Sequence, residues 1–426
     1  MKTYNPRIAD LILERKLAGK GAVLIEGAKW CGKTTTAEQA AKSIVYLSDP
    51  IQYQRFSMET SMSYEGLLKG DVPHLIDEWQ LIPKVWDSIR FAVDHRGETG
   101  QFILTGSAVP AKSDEIHHTG TGRFAWLRMR PMTLWESKES VGSVSLEDLF
   151  GLNPVFQGED AHLTLDDIAF LICRGGWPNA ATMANRKIAL DQAFDYVNAV
   201  AESDLTRVDG IKKDAGRVRR ILKSYARNQG TQTSICSLID DIKNNENETI
   251  SEPTMGSYLS SLQKIFLIED MPAWNPNLRS KTAIRTTSTR YFVDPSIAAA
   301  ALGIGPGDLL QDLNTMGLLF ETLAVRDLRV YAEPIDGEVY HFRDKNGLEC
   351  DAVVHLRDGR YGLVEIKLGG ENLIDEGAKN LLILQKKIDT DKMKAPSFLM
   401  VLTAIGLYPY HRPDDVFVVP IGCLKP

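Results

Sequence analysis

The chain has 426 residues, of which 43% are hydrophobic and 25% are charged, and its formal net charge is −7. This composition is ordinary for a soluble globular protein and excludes a disordered, collagen-like or disulfide-stapled chain. The length predicts two or three domains. The acidic balance excludes a protein that is basic throughout, so a nucleic-acid site would have to be a local patch.

Three features of the sequence predict a cytoplasmic protein that does not contact membranes. No apolar run approaches the ~20 residues that a membrane-spanning helix needs. The first residues carry charges within their apolar stretch, which is not typical of a signal peptide. Five scattered cysteines without CxxC spacing indicate a reducing compartment and argue against structural zinc. They are Cys31, Cys173, Cys236, Cys350 and Cys423.

Changes of pattern divide the chain into three predicted domains. Residues 1–136 alternate short apolar runs with helical stretches, which predicts an α/β domain with a parallel sheet. Residues 137–300 have mostly helical patterns. Residues 301–426 begin with a helix and continue as strands with one helix near 374–388, which predicts a second α/β unit.

The strongest motif is Gly27-Ala28-Lys29-Trp30-Cys31-Gly32-Lys33-Thr34, which fits the phosphate-loop pattern G-x-x-x-x-G-K-[ST]. It follows a predicted strand and precedes a predicted helix, so its N–H groups and the helix N-terminus would bind the phosphates of ATP. Lys33 is expected to reach the β- and γ-phosphates, and Thr34 to bind Mg²⁺. Thr35 completes the predicted nucleotide-binding segment. Cys31 is either an ordinary loop residue or a reactive thiol beside a helix N-terminus.

Two later strands end in residues that suit the same site. Asp77 and Glu78 follow an apolar run, and we expect Asp77 to join the Mg²⁺ shell and Glu78 to polarise the attacking water. The alternative for this acidic pair is a solvated loop or a helix cap. The next strand ends in Thr105-Gly106-Ser107. There the Ser107 hydroxyl is a candidate for sensing the γ-phosphate or holding the water, with a plain turn as the alternative.

Two basic features have open interpretations. Arg123 follows a Gly-rich stretch and is either an arginine finger for the phosphate of a neighbouring subunit, which would require a homo-oligomer, or part of a surface salt bridge. Residues 207–227 hold eight Lys or Arg against two Asp. This run would neutralise the phosphates of DNA, RNA or ATP, or it forms a solvated helix face.

The C-terminal region holds a second group of charged residues. Asp351 lies in an apolar strand, and Glu365 and Lys367 lie in the next strand on one face, because side chains alternate along a strand. Asp351 and Glu365 are candidates to share a divalent metal, with Lys367 orienting water and Glu321 adding a carboxylate from the preceding helix. The pattern resembles the D…ExK motif of restriction-type nucleases. The alternative is a fold whose acids and lysine form surface pairs.

Several segments together resemble the prokaryotic AAA-type ATPases that carry a C-terminal domain of unknown function, DUF4143. They include the opening YNPRIADL through the phosphate loop, LIDEWQ, ILTGSA, MRPMTLWES, GGWPNA and TRYFVDPSIAAAALG. The resemblance covers essentially the whole chain. It implies an AAA-like nucleotide domain, a helical middle with winged-helix character and a restriction-endonuclease-like C-terminal domain. Lys29 departs from the Arg that is usual in such loops, so the charge is kept but the bidentate fork is lost.

The sequence therefore predicts an ATP-binding, Mg-dependent ATPase of the AAA type that uses nucleotide as a conformational or assembly switch. The first alternative is an ATP-gated, metal-dependent DNA nuclease that acts through the C-terminal acids. The second is a nucleotide-sensing module that binds DNA or protein without hydrolysis.

Overall fold

The computed structural model describes residues 4–60, 62–106, 120–151, 154, 160–205, 213–279 and 284–426. The chain divides into two compact units. The first comprises Met1–Pro131, Glu202–Lys213 and Ser260–Leu267, and the second comprises Met132–Ala201, Asp214–Leu259 and Ile268–Pro426. The helical middle and the C-terminal sheet thus fall mainly in one unit. The division into three domains at 136 and 300 stays a prediction.

A five-stranded parallel sheet forms the centre of the first unit, in the order β2-β3-β4-β1-β5. Its strands are β1 (Ala22–Glu26), β2 (Ser43–Tyr46), β3 (His74–Asp77), β4 (Phe102–Gly106) and β5 (Phe124–Arg128). Nearly every residue of β1, β3 and β4 is buried. Such continuous apolar strands are typical of a parallel sheet that is covered on both faces. The α/β architecture predicted for this region is confirmed.

Helices precede and connect the strands of the first unit. They are α1 (Ile8–Gly19), α2 (Lys33–Ala40), α3 (Pro50–Glu59), α4 (Glu65–Leu68) and α5 (Val85–Arg96). An aromatic cluster holds α5 against the sheet: Trp86 stacks on Phe124 with ring centroids 4.0 Å apart and lies 5.1 Å from Trp79. Because Trp79 follows Asp77 and Glu78 closely in sequence, this packing also fixes the chain just after the acidic pair.

The second unit contains the predicted helical region. Its helices are α6 (Leu165–Arg174), α7 (Pro178–Ala181), α8 (Arg186–Ala199), α9 (Ala215–Arg227), α10 (Ile235–Glu246), α12 (Pro295–Leu302), α13 (Pro306–Gln311) and α14 (Leu313–Ala332); α11 (Glu252–Lys264) extends into a segment of the first unit. One π-helical turn, Val200–Asp204, continues α8. Polar residues start these helices as expected, for example Thr164 and Asp214, whose side chains accept N–H bonds from the first turns. The winged-helix character stays a prediction.

A mixed six-stranded sheet, in the order β11-β12-β10-β9-β8-β7, forms the C-terminal part of the second unit. Its strands are β7 (Gly337–Arg343), β8 (Glu349–Leu356), β9 (Tyr361–Lys367), β10 (Phe398–Thr403), β11 (Tyr410–His411) and β12 (Val416–Pro420). The strands β7, β8 and β9 are antiparallel neighbours, whereas β9, β10 and β12 are parallel. Helix α15 (Glu371–Lys387) makes the crossover between β9 and β10. Short strands β6 (Val144–Ser145) and β13 (Leu424–Lys425) pair separately. The second α/β unit is thereby confirmed.

A buried ion cluster joins distant segments of the second unit. The Arg326 guanidinium donates to Asp294 at 2.8 Å and to Asp327 at 2.7 and 2.8 Å, and all three side chains are at most 2% exposed. Asp294 also accepts from the Gly176 N–H, and Asp327 from the Leu134 N–H. These bonds connect α14 to the GGWPNA, FVDPS and MRPMTL segments of the sequence.

None of the helices among the described residues is long and apolar enough to cross a membrane. All five cysteines are unpaired, and only Cys236 among them is exposed.

We predict that Arg326→Ala lowers the free energy of unfolding of the second unit by about 3–5 kcal/mol, because two buried carboxylates lose their counter-ion. Denaturant unfolding measures this change. Arg357→Ala is the control, since the Arg357–Asp336 pair spans 3.4 Å and the arginine side chain is 79% exposed; its loss should cost at most about 1 kcal/mol. Equal stability losses in the two variants would contradict the proposed importance of the cluster.

Candidate functional site

The loop between β1 and α2 has the backbone of a phosphate-binding loop. Gly27 and Gly32 adopt φ angles of 155° and 101°, which L side chains rarely adopt. A Cβ on Gly27 would lie 2.1 Å from the Met129 carbonyl oxygen, so no side chain fits there. The loop leads directly into α2, which begins at Lys33. The N–H groups of a helix N-terminus therefore face the space that a phosphate would fill.

Lys33 is held by its own loop. Its Nζ atom donates to the Gly27 carbonyl at 2.9 Å and to the Ala28 carbonyl at 2.8 Å, and the residue is 6% exposed. The ammonium group thus lies directly over the loop. A bound polyphosphate would replace these neutral carbonyls with charged oxygens, which make shorter and stronger hydrogen bonds to an ammonium.

Asp77 lies at the carboxyl end of β3 and accepts two hydroxyl hydrogen bonds. Thr34 Oγ1 donates to Asp77 Oδ1 at 2.7 Å, and Thr105 Oγ1 donates to the same oxygen at 2.6 Å. Asp77 is 4% exposed. The structure therefore brings together the two predicted Mg²⁺ ligands, Thr34 and Asp77. A hydroxyl and a carboxylate suit Mg²⁺, which binds few protein oxygens and completes its shell with phosphates and water.

Two further residues were predicted for this site, and the structure describes Glu78 but not Ser107. Glu78 has left-handed backbone angles, φ 57° and ψ 44°, and its carboxylate accepts a hydrogen bond from the Gln80 amide. This uncommon conformation turns the chain immediately after Asp77, and functional sites often store strain of this kind. Its catalytic role stays a prediction. Ser107 lies outside the described residues, and at this strand end it is the neighbouring Thr105 whose hydroxyl contacts Asp77.

Arg7 braces the phosphate loop, although it belongs to none of the motifs that predicted the site. Its guanidinium donates to the Cys31 carbonyl and to the Arg130 carbonyl, each at 2.8 Å, and the residue is 6% exposed. It precedes α1 in the segment YNPRIADL, where only the family resemblance marked it. Cys31 itself is fully buried, with its Sγ 3.5 Å from the Met129 carbonyl oxygen. It therefore packs as a structural residue of the loop.

Arg123 lies at the N-terminal ends of the sheet strands, whereas the phosphate loop lies at their C-terminal ends. It precedes β5, and its carbonyl accepts from the N–H of Ala22, the first residue of β1. The loop follows the other end of this five-residue strand, about 16 Å away. Arg123 Nε donates to Asp94 at 2.7 Å, and this contact lowers the pKa of the Asp94 carboxyl. The ion pair agrees with the surface interpretation, and the finger for a second subunit stays a prediction.

The described part of the basic run, residues 213–227, is extensively paired with acids. Arg217 and Arg220 both donate to Glu248 at 2.8 Å, and Arg227 contacts Asp241 at 2.7 Å and Glu246 at 3.1 Å. Residues 206–212 lie outside the described residues. Less positive charge is therefore available on α9 than the sequence suggests, and DNA binding through 207–227 stays a prediction.

The structure also assembles the C-terminal charged group. Lys367 Nζ lies 2.7 Å from a Glu365 oxygen and 3.2 Å from an Asp351 oxygen. Because one ammonium contacts both carboxylates, their oxygens are closer than the ~8 Å that would prevent them from sharing one metal ion. Asp351 also accepts from the Ile366 N–H at 2.8 Å, which fixes β8 against β9.

Burial changes the acid–base properties of this group. Burial and the nearby Asp351 charge raise the pKa of Glu365 to about 8. The same two causes raise the pKa of Glu321 to about 8, and Tyr291 donates to its carboxylate. Although burial acts to lower the pKa of Lys367, the charges of Asp351 and Glu365 raise it well above the usual range. The group therefore holds carboxylates that are costly to keep charged without a cation.

One observation at this group favours a metal ion between Asp351 and Glu365, and another does not. Glu365 Oε1 is buried and has no hydrogen-bond partner, as a missing ligand contact would leave it. Among the described residues, however, no set of three His, Cys, Asp or Glu side chains is arranged to hold a metal. A metal would therefore require Lys367 to move from its position between the two acids.

The first unit thus combines a parallel sheet, a phosphate loop and an acid at the neighbouring strand end, which together define a P-loop nucleotide-binding domain. The AAA domain family matches residues 19–138, which contain all of these features. Two domains of unknown function match later segments: DUF8612 at residues 165–308 and DUF4143 at residues 316–424. The chain thus contains an AAA domain and a C-terminal DUF4143 domain, and the resemblance predicted from the motifs is confirmed.

Individual relatives are distant. Two uncharacterized proteins, from Mycobacterium bovis and Mycobacterium tuberculosis, are each 24% identical over 381 residues, which is 88% of this chain and 77% of theirs. Among solved structures, a Walker-type ATPase of Pyrococcus abyssi is 13% identical, with a TM-score of 0.42 over 69% of this chain and 94% of that chain.

We predict that Thr105→Val lowers the free energy of unfolding of the first unit by about 1.5–3 kcal/mol, because the buried Asp77 carboxylate loses one of its hydroxyl donors. Urea denaturation without Mg²⁺ measures this loss. Thr60→Val is the control, since that hydroxyl donates to a neutral carbonyl, of Phe56, at 2.6 Å; we expect a cost of about 1 kcal/mol. A Thr105→Val loss no greater than that of the control would contradict a special role for the Asp77 contact.

Proposed function

We propose that this protein binds ATP with Mg²⁺ and hydrolyses it, using the nucleotide as a conformational or assembly switch. The observation that carries the proposal is the 2.7 Å contact between Thr34 and Asp77. It joins the last residue of the phosphate-loop motif to the acid of a second strand. The two groups that would bind one Mg²⁺ thus already lie together in the folded chain.

Each residue of the site has a defined task in this proposal. The loop N–H groups and the Lys33 ammonium bind the phosphates, and Lys33 leaves the carbonyls of Gly27 and Ala28 to do so. Thr34 and Asp77 would hold Mg²⁺, which would neutralise the charge that develops on the phosphates. Glu78 accepts a proton from the attacking water, and the Gln80 amide orients its carboxylate.

We expect Lys33→Ala to abolish binding of the non-hydrolysable analogue AMP-PNP, because the cation that faces the phosphates is lost. Glu78→Gln should bind AMP-PNP with wild-type affinity but hydrolyse ATP at least about 100-fold more slowly, since an amide is a poor proton acceptor. Calorimetry and phosphate release measure the two effects.

The matched controls are exposed residues of the same unit, Lys42→Ala and Glu14→Gln, which should leave both measurements unchanged. Wild-type AMP-PNP affinity in Lys33→Ala would disprove the nucleotide site. Wild-type turnover in Glu78→Gln would remove Glu78 from the mechanism and leave the binding site intact.

A second candidate function is a metal-dependent nuclease in the DUF4143 domain. The specific observation in its favour is the buried, unpartnered Glu365 Oε1 next to Asp351 and Lys367. In this proposal Asp351 and Glu365 would hold the divalent ion, and Glu321 would supply a further carboxylate. Lys367 then stabilises negative charge on the substrate phosphate.

We predict that Mn²⁺ or Mg²⁺ raises the melting temperature without nucleotide, because binding to the folded state alone stabilises it. Asp351→Asn should remove this shift together with any DNA cleavage, whereas ATP hydrolysis persists. The control is Asp358→Asn, an exposed acid in the turn after β8 that pairs with Arg360 at 2.7 Å. Absence of both a metal-dependent shift and DNA cleavage in the wild type would reject the nuclease.

A further inference from the structure

An acid from a distant part of the sequence contacts the phosphate loop. Lys29 Nζ lies 2.5 Å from Asp204 Oδ1, although 175 residues separate the two in sequence. Asp204 belongs to a segment, Glu202–Lys213, that clusters with the first unit. The carboxylate side chain is 8% exposed and the lysine side chain 39% exposed. The pair therefore combines a nearly buried acid with a cation that reaches solvent.

The backbone that carries Asp204 is unusual. Val200–Asp204 forms a single π-helical turn directly after α8. Such turns are rare, and they occur frequently at functional sites. The Asp204 contact therefore comes from an irregular part of the backbone at the end of α8.

A carboxylate beside a phosphate loop is electrostatically unfavourable once a polyphosphate binds. The loop N–H groups and Lys33 attract negative charge, and Asp204 adds negative charge of its own. In the nucleotide-free chain, the Lys29 ammonium compensates for the negative charge of Asp204. When phosphates enter, they and Asp204 attract the same ammonium.

We propose that Asp204 is a nucleotide-sensing residue that competes with the bound phosphates for Lys29. This proposal rests on the proposed nucleotide binding and adds a partner that the phosphate-loop motif does not contain. Binding of nucleotide transfers Lys29 toward the phosphates and releases the π-helical turn from the loop.

The proposal makes a directional prediction for affinity. Asp204→Asn removes the competing charge at almost constant size, so AMP-PNP with Mg²⁺ should bind about two- to fivefold tighter than to the wild type. Asp204→Glu keeps the charge and should bind close to wild type. Glu59→Gln is the matched control, because Glu59 forms a 3.0 Å ion pair with Arg55 on α3 and should leave affinity unchanged. Titration calorimetry measures all four proteins.

Hydrogen exchange tests release of the turn independently of affinity. Amides of residues 200–205 should exchange faster in the wild type after AMP-PNP binds. In Lys29→Gln they should exchange fast without nucleotide and show no further change when it is added. A merely structural ion pair would give no nucleotide-dependent change in the wild type. If Asp204→Asn does not fold, Lys29→Gln still tests the release of the turn.

The outcomes distinguish failure of the nucleotide site from failure of the sensing role. No AMP-PNP binding by the wild type would overturn both the nucleotide site and the sensing role. Normal wild-type binding with unchanged affinity in Asp204→Asn, or with nucleotide-independent exchange at residues 200–205, would overturn the sensing role alone.

Discussion

The nucleotide domain depends on one buried carboxylate. Asp77 closes β3, and its Oδ1 atom accepts from Thr34 of α2 and from Thr105 of β4. Both donors are neutral hydroxyls, so the site keeps the negative charge that a divalent cation would seek. The same contacts align three elements at the carboxyl edge of a parallel sheet, which is where open α/β sheets bind ligands.

Three lysines at the candidate sites are held by internal partners of the chain. Lys33 is held by loop carbonyls, Lys29 by Asp204, and Lys367 by Asp351 and Glu365. Each arrangement satisfies a group that would otherwise be buried and unpaired, and in the proposed functions each would be exchanged when a ligand binds. Ligand affinity is therefore the difference between two sets of contacts, so changing an internal partner such as Asp204 can change affinity without touching the ligand.

Sequence patterns predicted the local parts of this protein well because their causes are local. The glycines of the phosphate loop, the apolar strands before it and before Asp77, and the two-residue spacing of Glu365 and Lys367 each follow from short-range geometry. The basic run at 207–227 was less informative, because charge counted along a helix does not include acids from other elements. Arg217 and Arg220 of α9, for example, contact Glu248, which is 31 and 28 residues away from them in sequence.

The sequence by itself determined the phosphate loop, the acids that follow the strands, the α/β regions and the order of the family domains. Only the tertiary structure decided which groups share a contact: Arg7 with the loop carbonyls, Thr105 with Asp77, and Asp204 with Lys29. It also decided that Arg123 and the phosphate loop of the same chain lie at opposite ends of the sheet strands. The physical reason is that hydrogen bonds and ion pairs act over a few ångströms in space. Strand order and chain crossovers, which no short motif records, set those distances.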